Sequence, residues 1–268
     1  MELLVEGHPT YAYTGGKTLD AAKPTVVFIH GVLNDHSVWI LQSRWFANHG
    51  WNVLAIDLPG HCRSAGAPPA TVEDAARFVI ALLDAAGVEK AALVGHSFGS
   101  LIALETAARA PERVSHIALV GTACPMAVSP ALLESSLNTP MRAIDMVNSF
   151  SHSMLAPPPS SLGPGTWLYG GSRALMRRVL ASNREVNVFH VGFNACNDYA
   201  NGEAAMAAVT CPVLFLLGAS DQMTPPRAAK ALQAKAVGAK VVTVQAGHAL
   251  MSEAPDAVLF ALKDFLGA

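Results

Sequence analysis

Apolar residues in this chain fall in short, mostly unbroken runs rather than in strict alternation. The runs are TVVFIH at Thr25–His30, NVLAI at Asn52–Ile56, AALV at Ala91–Val94, VSHIALV at Val114–Val120, PVLFLL at Pro212–Leu217 and KVVTVQ at Lys240–Gln245. Runs of this length and character predict strands buried on both faces. Between them the residue pattern predicts helices around Ser37–Asn48, over Val72–Ala86, after Ser97, near Arg227–Val237 and over Pro255–Leu266. Strands and helices taken in turn predict an α/β fold, with a mostly parallel central sheet and helices on both faces.

The alternation stops between residues 122 and 209. Ser129-Pro130 and Thr139-Pro140 each set a capping side chain before a proline suited to a first helical turn, which predicts two short helices. The stretch APPPSSLGPG at residues 156–165 predicts a loop, and further helices are expected over Ser172–Ala181 and Val186–Tyr199. Two core segments, 1–121 and 210–268, therefore enclose an expected helical cap over 122–209.

Composition narrows the function. With 268 residues, 51% hydrophobic and only 14% charged, the chain suits one large domain with an extensive core. A net charge of −2 and the absence of any Lys/Arg-rich run argue against a nucleic-acid partner. The N-terminal residues lack a signal-peptide pattern and no apolar run reaches the roughly 18 residues of a spanning helix, so a cytoplasmic protein without a membrane partner is expected. Cys62, Cys124, Cys196 and Cys211 are widely spaced and no His cluster accompanies them, which predicts neither a metal site nor disulfides, and no cofactor.

The chemistry is concentrated in VGHSFGS, residues 94–100. Ser97 stands between Gly95 and Gly99 where a strand gives way to a helix, the Gly-x-Ser-x-Gly setting of a nucleophile elbow. A serine hydroxyl needs a base and a group to orient that base. His248, in QAGHA directly after a predicted strand, is the candidate base, and Asp221, in LGASD just beyond another, is the candidate orienting acid. All three fall beyond the carboxyl ends of strands, where open parallel sheets place their functional groups.

With these motifs the chain resembles the α/β-hydrolase family, specifically its small cap-bearing esterase-like members, over nearly its whole length. FIHGV at residues 28–32 resembles the family's His-Gly oxyanion segment, followed at the usual distance by Trp39. The resemblance implies that the backbone N–H groups of Val32 and Phe98 hold an oxyanion and that His30 organises the loop. Two positions depart from the family pattern: Cys62 replaces the second glycine of Asp-x-x-Gly-x-Gly-x-Ser, and Ser100 stands where a further glycine is frequent. A positive φ at Cys62 would carry strain.

Serine rather than aspartate at the elbow argues against epoxide opening and halide displacement and for acyl transfer from a small-molecule ester to water. A carbon–carbon bond hydrolase, a perhydrolase and a ligand-binding receptor on the same fold remain alternatives. Met126, Met141, Met146, Met154 and Met176, with Trp167, would give an apolar ceiling to the site and favour a mainly apolar substrate. Arg173 and Arg177, four apart on one predicted helix, could meet a carboxylate. Cap arginines have such a role in the pimeloyl-carrier methyl esterases that the chain broadly resembles.

Overall fold

The computed structural model of the protein describes residues 1–153 and 167–268, so Met154 and the Pro/Gly stretch 156–165 lie outside the described residues. Its strands are β1 (Glu2–Val5), β2 (His8–Tyr13), β3 (Thr25–Ile29), β4 (Asn52–Ile56), β5 (Ala91–His96), β6 (Val114–Val120), β7 (Val213–Gly218) and β8 (Lys240–Val244). They form one eight-stranded sheet in the order β1-β2-β4-β3-β5-β6-β7-β8. From β4 onward every pairing is parallel, whereas β1–β2 and β2–β4 are antiparallel. The β1–β2 hairpin turns on Glu6 and Gly7, both at positive φ, the geometry that tight hairpins favour.

The period-two side-chain alternation of each strand feeds two cores. Val27 and Ile29 of β3 pack with Leu54, Leu93 and Leu119 against α2 (Val72–Ala85) and α3 (Phe98–Arg109). Val26 and Phe28 face the other way, joining Val53, Val94 and Val120 against α1 (Ile40–Ala47) and α11 (Pro255–Leu266). Both sets are essentially solvent-free, which is why the sequence shows continuous apolar runs. Two shorter helices complete the C-terminal half, α9 (Lys230–Lys235) and α10 (Leu250–Glu253).

Between β6 and β7 lie α4 (Pro130–Asn138), α5 (Pro140–Ser151), α6 (Leu168–Ser182), α7 (Val188–Asp198) and α8 (Gly202–Ala208). Ser129 caps α4 by accepting the Leu132 N–H, as its place before Pro130 suggests. Thr139 precedes Pro140 at the start of α5 but makes no such bond. Helices α4 to α7 share an apolar cluster of their own, centred on Ile144, Met176, Phe189 and Phe193, into which Leu33 projects from the β3–α1 loop. Polar ties reinforce that contact. Arg178 meets Asp35 at 2.6 Å, Ser182 Oγ accepts the Cys62 N–H at 2.9 Å, and Asn183 donates to the Gly60 carbonyl at 3.1 Å. At the far end Tyr199 and Asn201 donate to the buried Glu105 of α3 at 2.7 and 2.9 Å.

Candidate active site

The corner between β5 and α3 shows what the glycines are for. Ser97 adopts φ 54° and ψ −119°, a region that L-residues occupy only where surrounding structure enforces it. A Cβ at residue 95 would lie 2.0 Å from the Gly99 carbonyl oxygen, and one at residue 99 would lie 2.4 Å from that of Ile29. Only glycine fits either place, so the turn is specified by local sterics. The Ser97 N–H is fixed to Val120 of β6 at 2.9 Å. Ser100 has a use of its own: its hydroxyl donates to the Ser97 carbonyl at 2.5 Å and lies 2.8 Å from Thr122 Oγ1.

His248 follows β8, and its Nδ1–H donates to Asp221 Oδ2 at 2.8 Å, with the Thr224 hydroxyl 3.1 Å from the same nitrogen. The carboxylate is crowded with donors. Oδ1 accepts from the N–H groups of Met223 and Thr224, each at 2.8 Å, and Oδ2 also accepts the Thr224 hydroxyl at 2.8 Å. Burial pushes the Asp221 carboxyl up, but the facing His248 and the Thr224 donors outweigh it and hold it down at about 2. An ionised Asp221 on Nδ1 leaves Nε2 as the imidazole's accepting nitrogen. Asp198, another carboxylate of the later chain, is exposed at the end of α7.

His96, next to Ser97, donates from Nε2 to the backbone carbonyl of His248 at 2.8 Å. Burial, aided by the neighbouring His248, drives its pKa down to about 3, so it stays neutral. His30 bridges two loops, its Nδ1–H donating to the Gly31 carbonyl at 2.8 Å and its Nε2 accepting the Leu58 N–H at 3.1 Å. This pins the segment that holds Val32, whose N–H has no acceptor among the described residues. Leu33 sits at φ 57° to make that turn. The N–H of Phe98 heads α3, where no acceptor exists within the helix.

Cys62 carries the strain its substitution for glycine implies, at φ 45°. Its half-buried thiol lies 3.4 Å from Asp35, and burial, then Asp35 and Asp57, push its pKa up to about 12. Asp35, His36 and Asp57 stand close enough to suggest a cation site. Their carboxylates are already engaged, however. Asp57 accepts from the His36 N–H and ring at 2.9 and 2.7 Å and from the Arg63 N–H at 3.2 Å, while Asp35 accepts from Ser37 and Arg178.

Ser97 and His248 line one cavity of about 310 Å³ beneath the inserted helices. Val147 of α5, Leu175 and Met176 of α6, and Phe189 and Phe193 of α7 form its roof, and Val32 and Leu41 part of its wall. Among the described lining residues the only ionisable side chains are His96 and His248. Trp167 lines it too, at 63% exposure.

Other residues singled out in the sequence lie elsewhere. Met126 is buried in the core beside α3, and Met146 packs within the helical cluster. Met141 is solvent-facing. On α6 the cavity face is Leu168, Gly171, Ser172, Leu175 and Met176, so Arg173 and Arg177 share a different face. Arg173 pairs there with Asp145 of α5, and Arg177 is exposed. Met223, in the loop after β7, and Met251 of α10 supply further apolar lining from outside the insertion. The pair Phe189 and Phe193, at helical spacing in the sequence, was the available signal for the roof.

Comparison with known proteins agrees with this architecture. The family model for the alpha/beta hydrolase fold matches residues 24–255. A pimeloyl-[acyl-carrier protein] methyl ester esterase of Neisseria meningitidis is 27% identical over 267 residues, covering 93% of this chain and 96% of its own. A dihydrolipoyllysine-residue acetyltransferase component of the acetoin cleaving system of Cupriavidus necator is 39% identical over 111 residues, but that match spans 41% of this chain and 28% of the relative. Among solved structures the enol-lactonase of Burkholderia xenovorans superposes with a TM-score of 0.82 over 100% of both chains at 21% identity, a likeness of fold. Among the described residues no helix is long and apolar enough to cross a membrane.

Proposed function

The chain belongs to the alpha/beta hydrolase family, and from that premise we propose that it hydrolyses carboxylic esters of small to medium, uncharged, mainly apolar substrates through an acyl-enzyme on Ser97. The observation that carries this reading is the Asp221–His248 hydrogen bond at the wall of the same cavity that Ser97 lines. In the proposed course Nε2 of His248 accepts the Ser97 proton as Oγ attacks the ester carbonyl. The N–H groups of Val32 and Phe98 stabilise the resulting oxyanion. His248 then returns the proton to the departing alcohol, and water, activated by the same nitrogen, releases the acid. Asp221 holds the imidazole tautomer throughout and stabilises its charged form.

Substrate class follows from the lining. With no fixed cation among the described lining residues, a carboxylate there would lose its hydration without a compensating partner, so neutral acyl and alcohol groups are favoured. Helices α4 to α8 act in this reading as a cap whose apolar residues, Trp167 and Met176 among them, select the substrate. The methyl ester esterase likeness supports ester chemistry. A panel of p-nitrophenyl esters of rising acyl length, with the Ser97→Ala protein as blank, tests the proposal. Ser97-dependent turnover that favours neutral over carboxylate-bearing esters is expected, and turnover retained by the Ser97→Ala protein would refute it.

A further inference from the structure

The loop that carries His248 is pinned at three successive residues by three different elements. The Gly247 N–H donates to Glu253 Oε2 of α10. The His248 carbonyl accepts from His96 of β5 at 2.8 Å, and the Ala249 N–H donates to the Ser151 carbonyl at the end of α5 at 3.0 Å. The approach to α5 is close: a Cβ at residue 247 would lie 2.6 Å from the Ser151 oxygen and 2.7 Å from the Ser153 nitrogen. On its other side, a Cβ at Gly218 of β7 would lie 2.3 Å from the Gly247 carbonyl oxygen. The residue before the base is thus pressed between the sheet and the inserted helices.

Glu253 spans that junction with a single carboxylate. While Oε2 takes the Gly247 N–H, Oε1 accepts the Ser153 N–H at 2.7 Å and its hydroxyl at 3.1 Å. Both backbone donors belong to residues outside helices and strands, so the carboxylate meets a need that regular secondary structure leaves open. Its charge strengthens each of these bonds relative to a neutral acceptor. No part of it reaches the cavity lining.

We infer that Glu253 is a positioning residue, which holds the His248 loop against the end of α5 and so fixes the imidazole where it can serve Ser97. The inference rests on the acyl-enzyme reading above. It also makes the inserted helices part of the catalytic geometry as well as the source of the roof, because displacement of residues 151–153 would remove the Ser151 carbonyl from Ala249 and the Ser153 donors from the Glu253 carboxylate that holds Gly247.

The test compares Glu253→Gln and Glu253→Ala with wild type on a p-nitrophenyl ester, with kcat normalised to sites titrated by a fluorophosphonate. The glutamine variant is nearly isosteric and presents an amide donor to one of the two N–H groups. It decides the matter should the alanine variant fold poorly. Folding is compared by thermal melting. The expected result is a fall in kcat of about tenfold to a hundredfold with KM within about twofold, as for a misplaced catalytic group. The downfield proton resonance of His248 Nδ1–H, which reports its bond to Asp221, should also broaden or shift. A Glu253→Gln protein with wild-type kcat and an unchanged resonance would overturn the inference. A wild type without Ser97-dependent turnover would instead overturn the acyl-enzyme reading beneath it.

Discussion

The β5–α3 corner and the roof border the same cavity, yet they are specified in opposite ways. At the corner each residue answers to one steric demand. Gly95 and Gly99 are there because another backbone atom occupies the space of a Cβ, and Ser97 is forced to positive φ. In the roof, Met176, Phe189 and Phe193 pack on one another and line the cavity at the same time. Any of several apolar residues could do either job. Sites built on backbone geometry are therefore legible in a sequence, whereas sites built on packed side chains need the fold first.

The largest effects should come from breaking the corner's chemistry. Ser97→Ala is expected to abolish ester hydrolysis, a loss on the order of 10³-fold or more, with the melting temperature almost unchanged. Asp221→Asn should lose about 10²- to 10⁴-fold, because the wrong imidazole tautomer would be favoured. Steady-state rates on one activated ester check both. Next comes the corner's sterics. Gly95→Ala places a methyl group on the Gly99 carbonyl, so a destabilisation of about 4 kcal/mol or more is expected, measured by urea unfolding.

A smaller effect concerns pH. His96 and His61 are held by burial at about 3 and about 4, below the unfolded value of 6.5. Between those limits the unfolded chain binds more protons than the folded one, so stability is complete above about pH 6.5 and declines as pH falls. Asp35, whose donors hold it at about 2 against its burial, and Asp221 add a further loss only below about pH 4. A drop of about 2 kcal/mol in unfolding free energy for each of these two histidines is expected between pH 7 and pH 5 in urea titrations. Equal stability at the two values would mean that the buried histidines are solvated.

The smallest effect belongs to the roof's outer face. Replacing Arg173 and Arg177 together by glutamine should change kcat/KM for matched neutral and anionic esters by less than about twofold each, since Arg173 is engaged by Asp145 away from the cavity. A selective loss on the anionic ester would bring these arginines back to the substrate.

The same contrast explains how far the sequence could be read. The strands β3 to β7 are visible as apolar runs because both faces of the sheet are covered, whereas β8, expected to be buried on both faces, is a largely exposed edge strand. Asp221 and His248 stand out as candidates because each follows such a run. The hairpin β1–β2 was not seen: it lies at the sheet margin, and its second strand, HPTYAY, carries a proline and mixed polarity. Helix α8 begins with glycine and is short. Composition alone suggests Met126 and Met146 for the ceiling, whereas the fold uses them in packing. Glu253 left no local signal, because its partners are the backbone N–H groups of Gly247 and, across 100 residues of chain, Ser153.

In the proposed reaction Ser97, activated by His248, is the nucleophile. Incubation with a fluorophosphonate followed by intact and peptide mass spectrometry tests it most directly. One adduct per chain is expected on the peptide containing Ser97, absent from the Ser97→Ala protein and formed far more slowly by His248→Ala. An adduct on another residue, or equal labelling rates in wild type and His248→Ala, would contradict it.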